Sequence, residues 1–465
     1  MNLMNTIWRR TRTVLGLGLC MAVIGCAAID PQHVLTRQFG NSAPVDGKPL
    51  TTELKQDAYQ FVWNRVNEAY VDPQFNGVDW KQVGQVHYPR IMGSASDAVF
   101  WRKLDEMVAE LGDAHTRVLS PQQYANDKER QSFTLGLNVA ETTEGILVFG
   151  VAKDSAAEKA GIVVGDKLLE IDGVDAQLWW QQERQKARKN STERAREKSV
   201  RRLLNGGDPE RDSNQLKLKI VMADGSEREL EMTRGILPRK DSITSQIQDG
   251  NIGYIKLTAF DQKLNGQIAE HFEKMKGTQA LIVDLRGNGG GSLGMALNMM
   301  NHVVSGKVAI GERKTRTGKP PSFMFGLISA GSLKLELKGV NQPYLNPLIV
   351  LVDSDSASAS EFFSGSLQAI GRAQVFGSTS CGCLLGYMGY ANIPGGGGLA
   401  YSEMDFIPVA GKRVEGNGVV PDRMLLISRA DLIARKDVVL EAALEKLRQA
   451  SRSIVENAKD YAAKD

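Results

Sequence analysis

The chemistry-bearing residues of this chain lie in two short turns. Ser356-Ala357-Ser358-Ala359-Ser360-Glu361 follows the apolar run Leu348 to Val352 and leads into a helix-forming stretch. A serine between a buried strand and a helix projects from a sharp turn, and the helix N-terminus brings unpaired N–H donors and a partial positive charge. That is the setting of a nucleophile. The second turn, Asp284-Leu285-Arg286-Gly287-Asn288-Gly289-Gly290-Gly291, follows another apolar run, Ala280 to Leu285. Its glycines let backbone approach a ligand closely, and one N–H from each turn would suffice to hold a developing oxyanion. Taken singly each turn is ambiguous, since Ser-Ala repeats cap helices and glycine-rich loops bind phosphate or merely turn.

The elements needed to position these turns are legible around them. Strand, tight turn, helix occurs twice, which predicts an α/β core with its site at the strand ends. Upstream, Leu54, Ala58, Phe61, Val62 and Val66, then Phe100, Leu104, Met107, Val108 and Leu111, recur at helical spacing, with Gly112 placed as a C-cap. Strand-like alternation begins near Phe133. Between Arg184 and Arg202 nine Lys or Arg accompany two Glu; such a run reads as a solvated helix, with contact to anionic lipid or substrate as the alternative. The segment from Asp437 to about Ala462 has helical periodicity and is expected on the outside. Gly395 to Gly398 reads as a loop.

With 465 residues the chain exceeds the size of one core and should divide into domains. Its 42% hydrophobic and 24% charged residues are those of a folded protein, and 57 Lys and Arg against 54 Asp and Glu argue against nucleic acid as a partner. The four cysteines are too few and clustered for a disulfide framework, and Cys381-x-Cys383 lacks zinc-pair spacing. At the N-terminus Arg9, Arg10 and Arg12 precede an uncharged stretch, Val14 to Gly25, the layout of a secretory signal too short to span a bilayer. Its end, Val23-Ile24-Gly25-Cys26, resembles a bacterial lipobox, which implies cleavage before Cys26 and acylation of that residue; Ala27 after it favours the outer membrane. Residues 30 to 50 read as a tether.

The string Asp154-Ser155-Ala156-Ala157-Glu158-Lys159-Ala160-Gly161-Ile162 with Gly165-Asp166 resembles a bacterial PDZ domain, in which Leu135-Gly136-Leu137 would cap a groove for a peptide C-terminus. Together with Leu111-Gly112-Asp113-Ala114-His115-Thr116, the two turns above, and Val414-Glu415-Gly416-Asn417-Gly418-Val419-Val420-Pro421-Asp422, it makes the chain resemble the tail-specific, or C-terminal processing, serine proteases. The resemblance implies an α+β multidomain protein. Its parts would be a signal peptide (1–25), a tether (26–50), an N-terminal helical cap (51–125), a PDZ domain with a basic helical insertion (130–236), an α/β, crotonase-like and tricorn-core-like catalytic domain (240–428), and a C-terminal helix (429–465). It further implies a serine endopeptidase of the bacterial envelope, facing the periplasm, acting on exported proteins through their C-termini without cofactor or metal.

By the same resemblance Ser358 is the nucleophile, with Gly290 and Ala359 as oxyanion donors. The general-base lysine of the lysine-dependent members and the glutamine four residues on are Cys383 and Tyr387 here. Other members use Ser, His and Glu, which assigns His115 as base and Glu415 as its orienter. An imidazole is a suitable base at neutral pH. Cys381 and Cys383 are expected as small apolar residues lining the site rather than as a disulfide or a thiol nucleophile. The missing lysine leaves an inactive, PDZ-containing scaffold that binds protein C-termini as the competing reading.

Overall fold

Three N-capped helices come early among the described residues. In the computed structural model, which describes residues 37, 49–206, 214–323, 328–329 and 331–449, α1 (Thr52–Ala69), α2 (Trp80–Met92) and α3 (Asp97–Ala109) start at Thr51, Asp79 and Ser96. Each cap side chain accepts a hydrogen bond from a first-turn N–H that would otherwise lack a partner. Their apolar stripe buries Ala58, Val62, Val66, Phe100, Leu104 and Met107 against Leu385, Ile393, Leu399 and Tyr401 from far along the sequence. Fully buried side chains of this size each contribute about 1.5–3 kcal/mol, so the cap is welded to a loop of the catalytic region. Strand β1 (Arg117–Leu119) completes the join by pairing antiparallel with Gly398–Ala400. His115 sits two residues before that strand.

A second unit is a six-stranded antiparallel sheet whose main path runs β2 (Leu137–Thr142), β3 (Gly145–Val151), β4 (Lys167–Ile171), β5 (Gln215–Val221) and β6 (Glu227–Thr233), with the short strand Val174–Asp175 pairing to β4 off that path. Alternation is clean in β5, where Leu216, Leu218 and Ile220 are buried. Two helices, α4 (Ala176–Lys186) and α5 (Glu193–Gly206), close its core with Trp180, Val200 and Leu204. The basic run therefore does not form a solvated helix. Arg194 donates to the carbonyls of Ser380 and Asn417, Lys198 to that of Asp355, and Arg201 pairs with the Asp355 carboxylate. Charge patterning alone carries no signal for carbonyl and carboxylate partners more than 150 residues away.

The third unit is a six-stranded sheet, β7 (Ile243–Gln248), β8 (Ile252–Leu257), β9 (Ala280–Asp284), β10 (Leu348–Val352), β11 (Gln374–Gly377) and β12 (Arg423–Met424), parallel except for β7 against β8. Helices α6 (Ile268–Met275), α7 (Leu293–Asn301) and α8 (Ala359–Ala369) cover the face carrying Leu281, Val283, Val350 and Val352. The helix over 438–449 covers the other face through Val439, Ala443 and Leu447, against Ile252, Ala280, Ile282 and Ile349. Burial on both faces is why β9 and β10 are continuously apolar. Arg286, just after β9, binds Asp284 and Asp437 with two hydrogen bonds each, at 2.7–3.0 Å, and so ties the C-terminal helix to the strand end.

The signal segment, Cys26, nearly all of the tether, and the C-terminal stretch beyond 449 lie outside the described residues. Among the described residues no helix is long and apolar enough to cross a membrane.

Candidate active site

Strands β9 and β10 are parallel neighbours, with Asp284 opposite Leu351, so the two turns that follow them emerge side by side. Hydrogen bonds lace them together: Ala357 N–H to the Asn288 carbonyl at 3.1 Å, Ser360 Oγ to the same carbonyl at 2.8 Å, and Ser356 Oγ to the Leu285 carbonyl at 2.8 Å. Ser358 sits at the N-cap of α8 with φ 55° and ψ −117° and stays partly open to solvent. A left-handed serine is strained and persists only where its surroundings over-determine it, which is common at reactive turns.

Gly290 explains the glycine run. It has φ +99°, and a Cβ there would meet the Ala357 carbonyl oxygen and Ser358 Cβ at 2.7 Å and Ala359 N at 2.9 Å. Only a residue without a side chain brings this backbone against the serine. Of the two expected oxyanion donors, the Ala359 N–H, in the first turn of α8, has no hydrogen-bond partner among the described residues. The Gly290 N–H donates to Asn288 Oδ1 at 2.9 Å, so Asn288 holds that donor in this structure.

Behind Ser358 lies a buried carboxylate that the sequence quotes only as the end of a motif. Glu361 accepts from Ser358 N–H (3.1 Å), Ser380 Oγ (2.6 Å), Gly382 N–H (2.6 Å) and Cys383 N–H (2.9 Å). Burial pushes its carboxyl up from the usual range, and these donors oppose that. The S-x-x-E spacing of Ser358 and Glu361 is the signal that could have found it, because such a glutamate reaches back to the N-cap N–H.

Cys381 and Cys383 are joined in a disulfide. This overturns the expectation of two unlinked apolar side chains and removes Cys383 as a free thiol. The loop stays buried, packing with Ala357, Ala195 and Ala114. The reason is local: the Ser358 N–H donates to the Cys383 carbonyl at 2.9 Å, and the Cys381 N–H to the Ser356 carbonyl at 3.0 Å. With both ends pinned to the serine turn, the Cα atoms lie 5.3 Å apart, within disulfide reach.

His115 and Glu415 come close to this centre without closing a relay. His115 is 9% exposed, its Nδ1 is buried with no partner, and its ring lies 5.9 Å from that of Tyr387. Among the described residues no hydrogen bond joins it to Ser358 Oγ or to Glu415. Burial lowers its pKa to about 4; Asp113 opposes the shift, while Arg117, Lys198 and Arg202 add to it. Glu415 accepts from the N–H groups of Leu384 and Leu385 at 2.5 and 3.0 Å, and Ser191, whose hydroxyl accepts the Ala114 N–H at 3.0 Å, stands near enough to oppose the rise of its pKa. Burial pushes the Glu415 carboxyl up to about 7, with Asp113 adding to it. One serine on the inserted segment is thus bonded to the cap beside this carboxylate.

The groove loop is engaged from within. Gly136 N–H donates to Thr134 Oγ1 at 2.9 Å, and Leu137 N–H to Asn205 Oδ1 at 2.9 Å. Asn205 Nδ2 donates to the Leu137 carbonyl at 2.8 Å and Arg201 to that of Val139 at 3.2 Å. The Leu135 carbonyl accepts from Ala157 N–H at 3.0 Å. Side chains of α5 thereby take the edge-strand groups that an added peptide strand would use.

Three family models match the chain: the tricorn protease C1 domain over residues 52–109, a PDZ domain over 125–197, and peptidase family S41 over 251–425. Over most of its length the chain is similar to the C-terminal-processing serine proteases. It is a serine-type peptidase. A carboxyl-terminal-processing protease of Picosynechococcus is 27% identical over 94% of this chain and 97% of its own length, and one of Synechocystis is 26% identical over 83% and 85%. Among solved structures, mature CPAF shares the fold of the protease at a TM-score of 0.63 and 16% identity, covering 87% of this chain and 98% of its own. The photosystem II D1 C-terminal processing protease shares it at 0.51 and 22%, covering 82% and 96%.

Proposed function

We propose that the protease is an envelope-anchored endopeptidase that cuts exported proteins near their C-termini, with Ser358 as nucleophile, His115 as general base and Glu415 as the carboxylate that orients it. The observation that carries this reading is the left-handed Ser358 on the α8 N-terminus, with the Gly290 backbone pressed against it and the Ala359 N–H free beside it. Ser358 Oγ attacks the scissile carbonyl while His115 takes its proton. The tetrahedral oxyanion then collects the Ala359 N–H and, once Asn288 lets go, that of Gly290. His115 returns the proton to the leaving amine, and water repeats the sequence on the acyl-enzyme. A low imidazole pKa keeps the base unprotonated at neutral pH. In the described conformation the relay is open, so substrate binding must bring His115 to the hydroxyl; catalytic hydrogen bonds commonly tighten only in the complex.

The PDZ loop Leu135-Gly136-Leu137 receives the substrate C-terminus after displacing Asn205 and Arg201 from the strand edge. Acylated Cys26 and the tether hold the protease at the outer membrane, facing the periplasm. No metal or cofactor takes part. Casein proteolysis by the purified protease tests the reading: Ser358→Ala and His115→Ala should each remove it, and wild-type activity in either variant reassigns that role.

A second reading, an inactive scaffold for protein C-termini, is favoured by one observation, the disulfide-bound Cys383 where the lysine-dependent members carry their base. It predicts peptide binding without casein cleavage.

A further inference from the structure

The protease has a net charge of only +3, yet cations gather beside Ser358. On α5, Ala195, Lys198 and Arg202 fall at i, i+3 and i+7, along one helix face. Ala195 packs on Ala357, Cys381 and Cys383. One turn on, Lys198 Nζ lies 3.3 Å from the Asp355 carbonyl, 3.8 Å from its carboxylate, and 3.7 Å from the point where Gly289 would carry a Cβ, next to Gly290. Across the space, Arg117 lies 5.9 Å from the centre of the Tyr387 ring and 5.6 Å from that of Tyr390, and it donates to the Tyr390 hydroxyl. His115, with its orphaned Nδ1, stands against the same Tyr387.

The charges do not balance. Asp355 is shared between Lys198 and Arg201, Arg188 is held by Asp105, and among the described residues Arg117 forms hydrogen bonds with the Tyr390 phenol but no ion pair. Arg202 forms no hydrogen bond or ion pair among the described residues and stays open to solvent. Protein around it and its cationic neighbours Arg117, Arg188 and Arg201 pull its pKa down to about 10. Like charges are assembled at such a cost where a ligand of opposite sign neutralises them.

We propose that Lys198, Arg202 and Arg117 form a carboxylate-binding subsite beside Ser358, selecting peptides that carry an acidic side chain or a free terminal carboxylate next to the bond to be cut. The proposal rests on Ser358 as the reacting centre. A carboxylate seated there offsets the cations around His115 and makes its imidazole a stronger base as substrate arrives.

Two experiments separate the subsite from the catalytic reading. Cleavage sites in a denatured-proteome peptide library, mapped by mass spectrometry, should show acidic residues enriched several-fold within three positions of the cut, or cuts confined near free C-termini. The first outcome identifies a side chain and the second the chain end. Either preference should vanish in Arg202→Gln and survive in Arg202→Lys. A library cut without either preference, or one unchanged in Arg202→Gln, overturns the subsite. On Ser358→Ala protein, fluorescein-labelled peptides of one sequence, as Asp or Asn and as free acid or amide, should bind about tenfold apart by anisotropy, with the gap closed by Arg202→Gln. Equal binding, or no binding of any of the four, overturns the subsite. Silence of the wild type on the library counts against Ser358 catalysis only.

Discussion

The Ser358 N–H donates to the carbonyl oxygen of Cys383 at 2.9 Å. The backbone of the reactive turn is therefore held by one of the two residues in the Cys381–Cys383 disulfide. Reduction with a dithiol frees that loop to move. The rate of peptide hydrolysis should fall by about tenfold, because small displacements of a reacting group are costly, and should return on reoxidation. Cys383→Ser should behave as the reduced protein does. Activity indifferent to reductant, with two free thiols counted at these positions, would show that the disulfide does not position the serine.

Glu361 holds the same loop from below. Replacing it by Gln puts an NH2 group among four donors, and leaving such groups unpaired costs about 2–4 kcal/mol. The urea midpoint of Glu361→Gln should drop accordingly. A midpoint within error of the wild type would remove Glu361 as the anchor of the turn.

Gly290→Ala collides with the Ala357 carbonyl and Ser358 Cβ at 2.7 Å and carries a side chain at φ +99°. Activity should fall at least about a hundredfold, the range for loss of one oxyanion donor, with kcat affected more than KM. Near-normal kcat would place the oxyanion elsewhere.

Two buried groups set opposite pH dependences. The Glu415 pKa is raised to about 7, so its contribution to stability is full below the ordinary carboxylate range and is lost as pH rises through 7. His115 is lowered to about 4; its contribution is present above the ordinary imidazole value near 6.5 and lost as pH falls toward 4. The proposed relay needs Glu415 ionised and His115 neutral, so under it kcat/KM should rise with pH through an apparent pKa near 7, the Glu415 step. Glu415→Gln should abolish that step while lowering the rate. An acid limb unmoved by this substitution would assign it to another group.

Much of the fold is legible because it repeats local rules. Apolar runs of strand length followed by glycine or small residues place β9, β10 and both turns, and helical spacing places α1 and α3. The PDZ string and the motifs around His115 and Glu415 mark the remaining pieces. What the sequence withholds is long-range pairing. The basic residues of α5 look solvated because no nearby residue announces Asp355, Ser380 or Asn417 as their partners. The C-x-C pair looks too short to bridge until Ser356 and Ser358 pin both its ends. Glu361 is hidden because burial and four donors, not its neighbours in sequence, make it a hub. His115 and Glu415 are recognisable as types, but their separation in the resting state depends on backbone N–H groups of Leu384 and Leu385 that no pattern reveals.

The central claim is that Ser358 is a reactive nucleophile. A fluorophosphonate probe incubated with the purified protease, followed by tandem mass spectrometry, reads this directly. The account predicts a single phosphonyl adduct on Ser358, absent in Ser358→Ala and slowed in His115→Ala. An adduct on another residue, or none even with peptide present, would contradict it.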